Sequence, residues 1–86
     1  MADNKIDLKI VVNGTEVVVE ANVHAPLQTV IEPALQKSGN AGQPPSNWVL
    51  RDANGNELDV TKKIGDFGFN AQTILYLSLK AGIGGN

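Results

Sequence analysis

The stretch IDLKIVVNGTEVVVE, residues 6–20, holds two apolar runs separated by Asn13-Gly14. Ile6, Leu8, Ile10 and Val12 fall on one face and Asp7, Lys9 and Val11 on the other, the pattern of a half-buried strand. Asn13-Gly14 suits a two-residue type I′ turn, because both central residues of that turn need positive φ. Such a loop sets Val12 opposite Thr15, Ile10 opposite Val17 and Leu8 opposite Val19, and directly opposite residues share a face. The apolar residues of both strands therefore gather on one side, as a hairpin with a single buried face requires.

That face needs a partner, and the next segment supplies it. Asn22-Val23-His24-Ala25-Pro26 reads as a loop into a helix, with Pro26 in the first turn, where its missing N–H costs nothing. Leu27, Val30, Ile31, Ala34 and Leu35 recur at the spacing of an amphipathic helix, and Gly39 marks its stop. Pro33 conflicts with an uninterrupted helix, since an interior proline removes a hydrogen bond and clashes with the preceding turn. A kink or a locally opened turn is expected there.

Residues 40–47 form a loop containing Gly42 and Pro44-Pro45. Trp48 to Arg51 reads as a short strand, Asp52-Ala53-Asn54-Gly55 as a turn, and Glu57 to Val60 as a second short strand. Lys62 to Phe69 is expected to be a loop with one helical turn. Thr73 to Leu79 is a further alternating strand with Leu75, Leu77 and Leu79 on one face. The compact arrangement is α+β, a mixed sheet of four to five strands over one helix. The last strand is expected to pair in parallel beside the first, because the intervening segment is long enough for the crossover.

The 86 residues leave room for one domain,. Hydrophobic residues make up 42% and charged residues 19%, which fits a soluble globular chain rather than a disordered one,. A net charge of −2 without clustered Lys and Arg argues against nucleic acid as a partner,. With no cysteine there is neither a disulfide framework nor a thiolate zinc site,. No run approaches the length of a membrane helix, and Met1-Ala2-Asp3-Asn4-Lys5 is not a signal peptide. A cytoplasmic monomer, without membrane association, is the resulting expectation. Its parts are a disordered N-terminus over 1–5, a domain over 6–80 and a flexible tail over 81–86.

From Ile6 onward the chain resembles ubiquitin-like β-grasp proteins. The resemblance rests on an ordered set: Gly42-Gln-Pro-Pro-Ser-Asn-Trp-Val-Leu50, Gly55-Asn-Glu-Leu58, Ile64-Gly-Asp-Phe-Gly68, Thr73-Ile-Leu-Tyr-Leu-Ser-Leu-Lys80 and Gly84-Gly85. It extends to a bacterial group of small ubiquitin-like modifiers associated with activating enzymes, conjugating enzymes and metal-dependent isopeptidases. The resemblance implies a protein modifier whose conjugation and processing residues are Gly84, Gly85 and Asn86. Cleavage after Gly85 would expose a carboxylate to be adenylated, passed to a cysteine of an activating enzyme and joined to an amine of a target protein. Its partners would be the activating and conjugating enzymes, a processing peptidase or isopeptidase, and the targets. Residues without side chains allow the close backbone approach that threading a terminus into an enzyme channel demands.

The chain departs from ubiquitin in places. Lys80 is the one base near the tail, Ala81, Gly82 and Ile83 are neutral, and Asn56 stands where ubiquitin has a chain-forming lysine after the turn glycine. Ubiquitin's exposed apolar patch has no clear copy, since Arg51 and Asp52 occupy the neighbouring strand end. A dedicated enzyme set is therefore expected.

Other residues read more plainly. His24 lacks ligand or triad companions and is expected in an exposed loop. Asp52, Glu57 and Asp59 surround a turn and lack the spacing of a calcium loop. Trp48 could anchor a partner but is read as covering an edge of the helix. Lys5, Lys9, Lys37, Lys62, Lys63 and Lys80 are equivalent as acceptors of a modifier. No catalytic residue, cofactor or metal site is expected, and the chain is read as no enzyme. Two alternatives stand beside the modifier: a non-covalent adaptor using its exposed sheet face, similar to small secretion accessory proteins, and a sulfur carrier, which would usually end at the diglycine itself.

Overall fold

The computed structural model describes residues 4–80, so the N-terminal three residues and the tail from Ala81 lie outside it. Its elements are β1 (Lys5–Val12), β2 (Thr15–Asn22), a helical segment comprising a 3-10 turn Leu27–Val30 and α1 (Ile31–Ser38), β3 (Trp48–Arg51) and β4 (Ile74–Leu79). Short 3-10 turns also cover Pro45–Asn47 and Ile64–Phe67. The four strands form one mixed sheet in the order β2-β1-β4-β3, packed over the helix as an α+β β-grasp.

The hairpin takes the register its apolar pattern demands, with Val12 opposite Thr15, Ile10 opposite Val17 and Leu8 opposite Val19. Asn13 at φ 51° and Gly14 at φ 84° supply the two positive values of the type I′ turn,. β1 starts at Lys5 rather than Ile6, because the Asn4 carbonyl accepts the Val23 N–H at 2.7 Å and extends the ladder. β4 pairs in parallel with β1 and antiparallel with β3. Leu8, Ile10, Val12, Leu75 and Leu77 from the sheet meet Leu27, Val30, Ile31, Ala34 and Leu35 from the helix in one core.

The helical segment is interrupted in the turn before Pro33: Leu27–Val30 is a 3-10 turn and α1 begins at Ile31. Pro33 lies in the first turn of α1, and Thr29, whose carbonyl its ring would crowd in a continuous α-helix, lies in the 3-10 turn,. One expectation is corrected: Glu57 to Val60 is not a strand. It retains one bridge, Arg51 to Glu57, and the bond from Leu58 N–H to the Leu50 carbonyl. The carbonyls of Val60 and Lys62 instead accept the N–H groups of Gln28 and Leu27 at 2.9 and 2.8 Å. The segment caps the start of the helix rather than extending the sheet.

Candidate functional site

Gly84, Gly85 and Asn86 lie outside the described residues, so the site is described through the root from which the tail departs. The last rung of β3 and β4 sets Trp48 opposite Leu79, and the next residue donates Lys80 N–H to the Asn47 carbonyl at 2.8 Å. Asn47 is itself fixed, since its N–H donates to Pro44 O at 3.0 Å and its side-chain Nδ2 to Gln43 Oε1 at 2.9 Å. The Pro44-Pro45 pair pre-sets the backbone of this turn. Lys80 therefore leaves the sheet from an anchored point at the β3 edge, with its side chain exposed.

Beside that root is a cavity of about 440 Å³ lined by Gln28, Ile31, Pro45, Ser46, Trp48, Val60 and Lys80. Trp48 is 5% exposed and packs in the core, as expected. Its Nε1–H finds no acceptor among the described residues. A buried unpaired donor of this kind costs about 1–3 kcal/mol.

The sheet face turned away from the helix is more apolar than the sequence suggests. Register places Glu16, Val11, Tyr76 and Arg51 in one row across all four strands, and Val18, Lys9 and Ile74 in the next. Tyr76 is 42% and Val18 45% exposed, the two large apolar side chains most open to solvent among the described residues. Arg51 Nη1 donates to Ser78 Oγ at 3.2 Å, which holds the guanidinium along the β3–β4 edge. Sequence reading named an exposed sheet face but not its members, because they come from four strands. The signal present in the sequence was the apolar residue at outward parity in each run: Val11, Val18 and Tyr76.

The remaining candidates stay apart. His24 is exposed, with Nε2 3.3 Å from Asn4 Oδ1, and its N–H donates to Asn22 Oδ1. Asp52 Oδ1 accepts the N–H groups of Asn56 and Asn54 at 3.0 and 2.9 Å. Those bonds, the one from Asn56 foremost, hold its carboxyl below the usual carboxylate range. Asp59 is lowered in the same sense, first by the Thr61 hydroxyl, then by the Thr61 N–H and the charge of Lys62. Both acids are turn-formers that accept from backbone and side-chain donors two to four residues further along the chain,. Among the described residues, no three His, Cys, Asp or Glu are placed to hold a metal, and no helix is long and apolar enough to cross a membrane. The six lysines do not separate by access, since only Lys9 is even partly covered.

Solved structures with the same architecture include a de novo protein designed on the basis of ubiquitin, with a TM-score of 0.76 at 17% identity, covering 99% of this chain and 100% of that one. The ubiquitin of Caldiarchaeum subterraneum superposes with a TM-score of 0.71 at 19% identity, over 93% of this chain and 99% of that one. The ubiquitin-like domain of EccD5 from Mycobacterium xenopi gives 0.66 at 19% identity, over 88% and 94% of the two chains. At these identities the likeness establishes a ubiquitin-like fold. In sequence, the uncharacterized protein y4jI of Sinorhizobium fredii is 49% identical over 81 residues, which are 94% of this chain and 62% of that protein. The chain thus spans less than two thirds of that relative's length. The sequence profile of DUF2604, described as a protein of unknown function, matches residues 1–85, and the chain belongs to that family.

Proposed function

We propose that the chain is a ubiquitin-like protein modifier and not an enzyme. On this reading it is processed after Gly85 and joined through the Gly85 carboxylate to target amines by dedicated bacterial activating and conjugating enzymes. The observation that carries the reading is the conjunction of a ubiquitin-like fold with Gly84-Gly85 a few residues beyond an anchored Lys80. A slim glycine pair on a firmly rooted strand suits an enzyme that must draw the backbone close to a nucleotide. Cleavage after Gly85 is required whatever follows it, so Asn86 is the residue to be lost.

The test is intact-mass analysis with a candidate peptidase, then with a candidate activating enzyme and ATP. The expected outcome is a product ending at Gly85, then a thioester sensitive to thiol. A chain that keeps Asn86, with every interaction surviving deletion of residues 81–86, overturns it. A thiocarboxylate mass would assign the sulfur-carrier chemistry instead.

The second reading is a non-covalent adaptor, and the exposed Val18 and Tyr76 on the outer sheet face favour it. Partner capture that is lost with Tyr76→Ala but unaffected by removing the tail would establish that role.

A further inference from the structure

The ladder between β1 and β2 has a phase, and the phase decides which backbone groups the open edge of β2 presents. A two-residue type I′ turn makes its flanking residues, Val12 and Thr15, a pair that exchanges both hydrogen bonds. The bond from Val23 N–H to Asn4 O at 2.7 Å shows the same phase at the far end of the hairpin. Thr15, Val17, Val19 and Ala21 therefore turn their N–H and C=O groups toward β1. Glu16, Val18 and Glu20 turn theirs away, to the side where the sheet order places no further strand among the described residues,. The same three side chains are exposed on the outer face.

An edge of this length, unpaired among the described residues, is a template for another strand,. Its side chains state which one. Val18, 45% exposed, is flanked at two residues on either side by Glu16 and Glu20. Asp7 of β1 stands opposite Glu20, and Lys9 stands opposite Val18, one strand further in. A second copy fits poorly, because antiparallel pairing centred on Val18 sets Glu16 of each copy against Glu20 of the other. Like charges directly opposite are destabilising. A strand with an apolar residue over Val18 and a cation two residues before and after it turns the same two carboxylates into attractive partners.

We propose that the β2 edge is a docking strand for an extended, basic segment of a partner protein. The segment adds antiparallel to Glu16–Glu20 by backbone hydrogen bonding, with Lys or Arg flanking a central aliphatic side chain. The proposal is independent of the tail and of any conjugation chemistry.

The test is amide NMR of the full chain titrated with the capped peptide Ser-Lys-Thr-Val-Thr-Lys-Ser, and with its counterpart carrying Glu for both Lys. The expected shifts are large at the amides of Glu16, Val18 and Glu20 and small at Val17 and Val19. The Glu peptide should bind about tenfold or more weakly than the Lys peptide, and added salt should weaken the Lys peptide. Val18→Pro removes one outward N–H while sparing the ladder to β1, and should abolish the alternating shifts. If that variant fails to fold, the double variant Glu16→Lys, Glu20→Lys decides, because it should reverse the preference to the Glu peptide. Equal binding of both peptides, shifts centred on Tyr76, or shifts without alternation overturn the proposal. So does an alternating pattern that appears with protein concentration and no peptide, which would make the occupant a second copy.

Discussion

Trp48 is the one tryptophan of the chain, and it is buried with its indole N–H unpartnered among the described residues. Truncation and replacement by a smaller aromatic side chain should therefore differ sharply. Trp48→Ala removes a large core side chain and should cost about 3–5 kcal/mol. Trp48→Phe gives up part of that packing but also removes an unsatisfied donor, so its cost should stay within about 1 kcal/mol. Urea unfolding of the two variants checks this, and equal losses would show that the indole nitrogen does have a partner. Asp52 offers a second residue-scale expectation. Its carboxyl is held below its ordinary 3.8, first by the N–H of Asn56. A group lowered on folding stabilises fully above its unfolded value, and that stability is lost as the pH falls through the lower folded value. The Asp52 carboxyl and the amides of Asn54 and Asn56 should titrate together by NMR with a midpoint below 3.8. A midpoint at or above that value would refute the hydrogen-bonded turn.

At the scale of the element, the helix is instructive. Gly39 closes α1 in the left-handed region at φ 79°. The N–H of Asn40 donates to Leu35 O at 2.8 Å, and that of Gly39 to Gln36 O at 3.3 Å. These are the two bonds of a Schellman ending. Pro33 sits in the first turn and Gln36, which is exposed, follows one turn later. Pro33→Ala should change stability by no more than about 0.5 kcal/mol. Gln36→Pro should cost about 3 kcal/mol or more, because its N–H is needed within the helix. Thermal melts of this pair test the position of the 3-10 to α change, and a large effect at Pro33 would place the helix start earlier. The periodicity of Leu27 to Leu35 predicts the buried face correctly. It does not reveal the change of helix type, because 3-10 and α turns bury the same residues here.

For the molecule as a whole, β4 closes the sheet. Leu77 lies opposite Val12 on one side and Leu50 on the other, and is 2% exposed. Leu77→Ala should cost about 2–5 kcal/mol, a large share of the roughly 5–15 kcal/mol that holds a domain together. Denaturant unfolding should show a lower midpoint with an unchanged slope. On the proposed modifier reading, removal of residues 84–86 should abolish conjugation and leave that midpoint where it is, which separates the proposed chemistry of the tail from the stability of the fold.

Sequence alone determined the hairpin and its register and the apolar face of the helix, because each follows from short-range periodicity or turn chemistry, and it placed the last strand parallel to the first because the segment between them is long enough for a crossover. It also determined the diglycine on which the proposed function rests. Tertiary structure decided what depends on distant partners. Carbonyls at 60 and 62 serve the helix start instead of a strand, since they accept the N–H groups of Gln28 and Leu27. The outer row of Val11, Tyr76 and Arg51 exists only once four strands are in register. The edge at Glu16, Val18 and Glu20, open among the described residues, exists only because the sheet places β2 last. Neighbours within a turn or two are fixed by local geometry, whereas a surface assembled from separate strands is defined by packing.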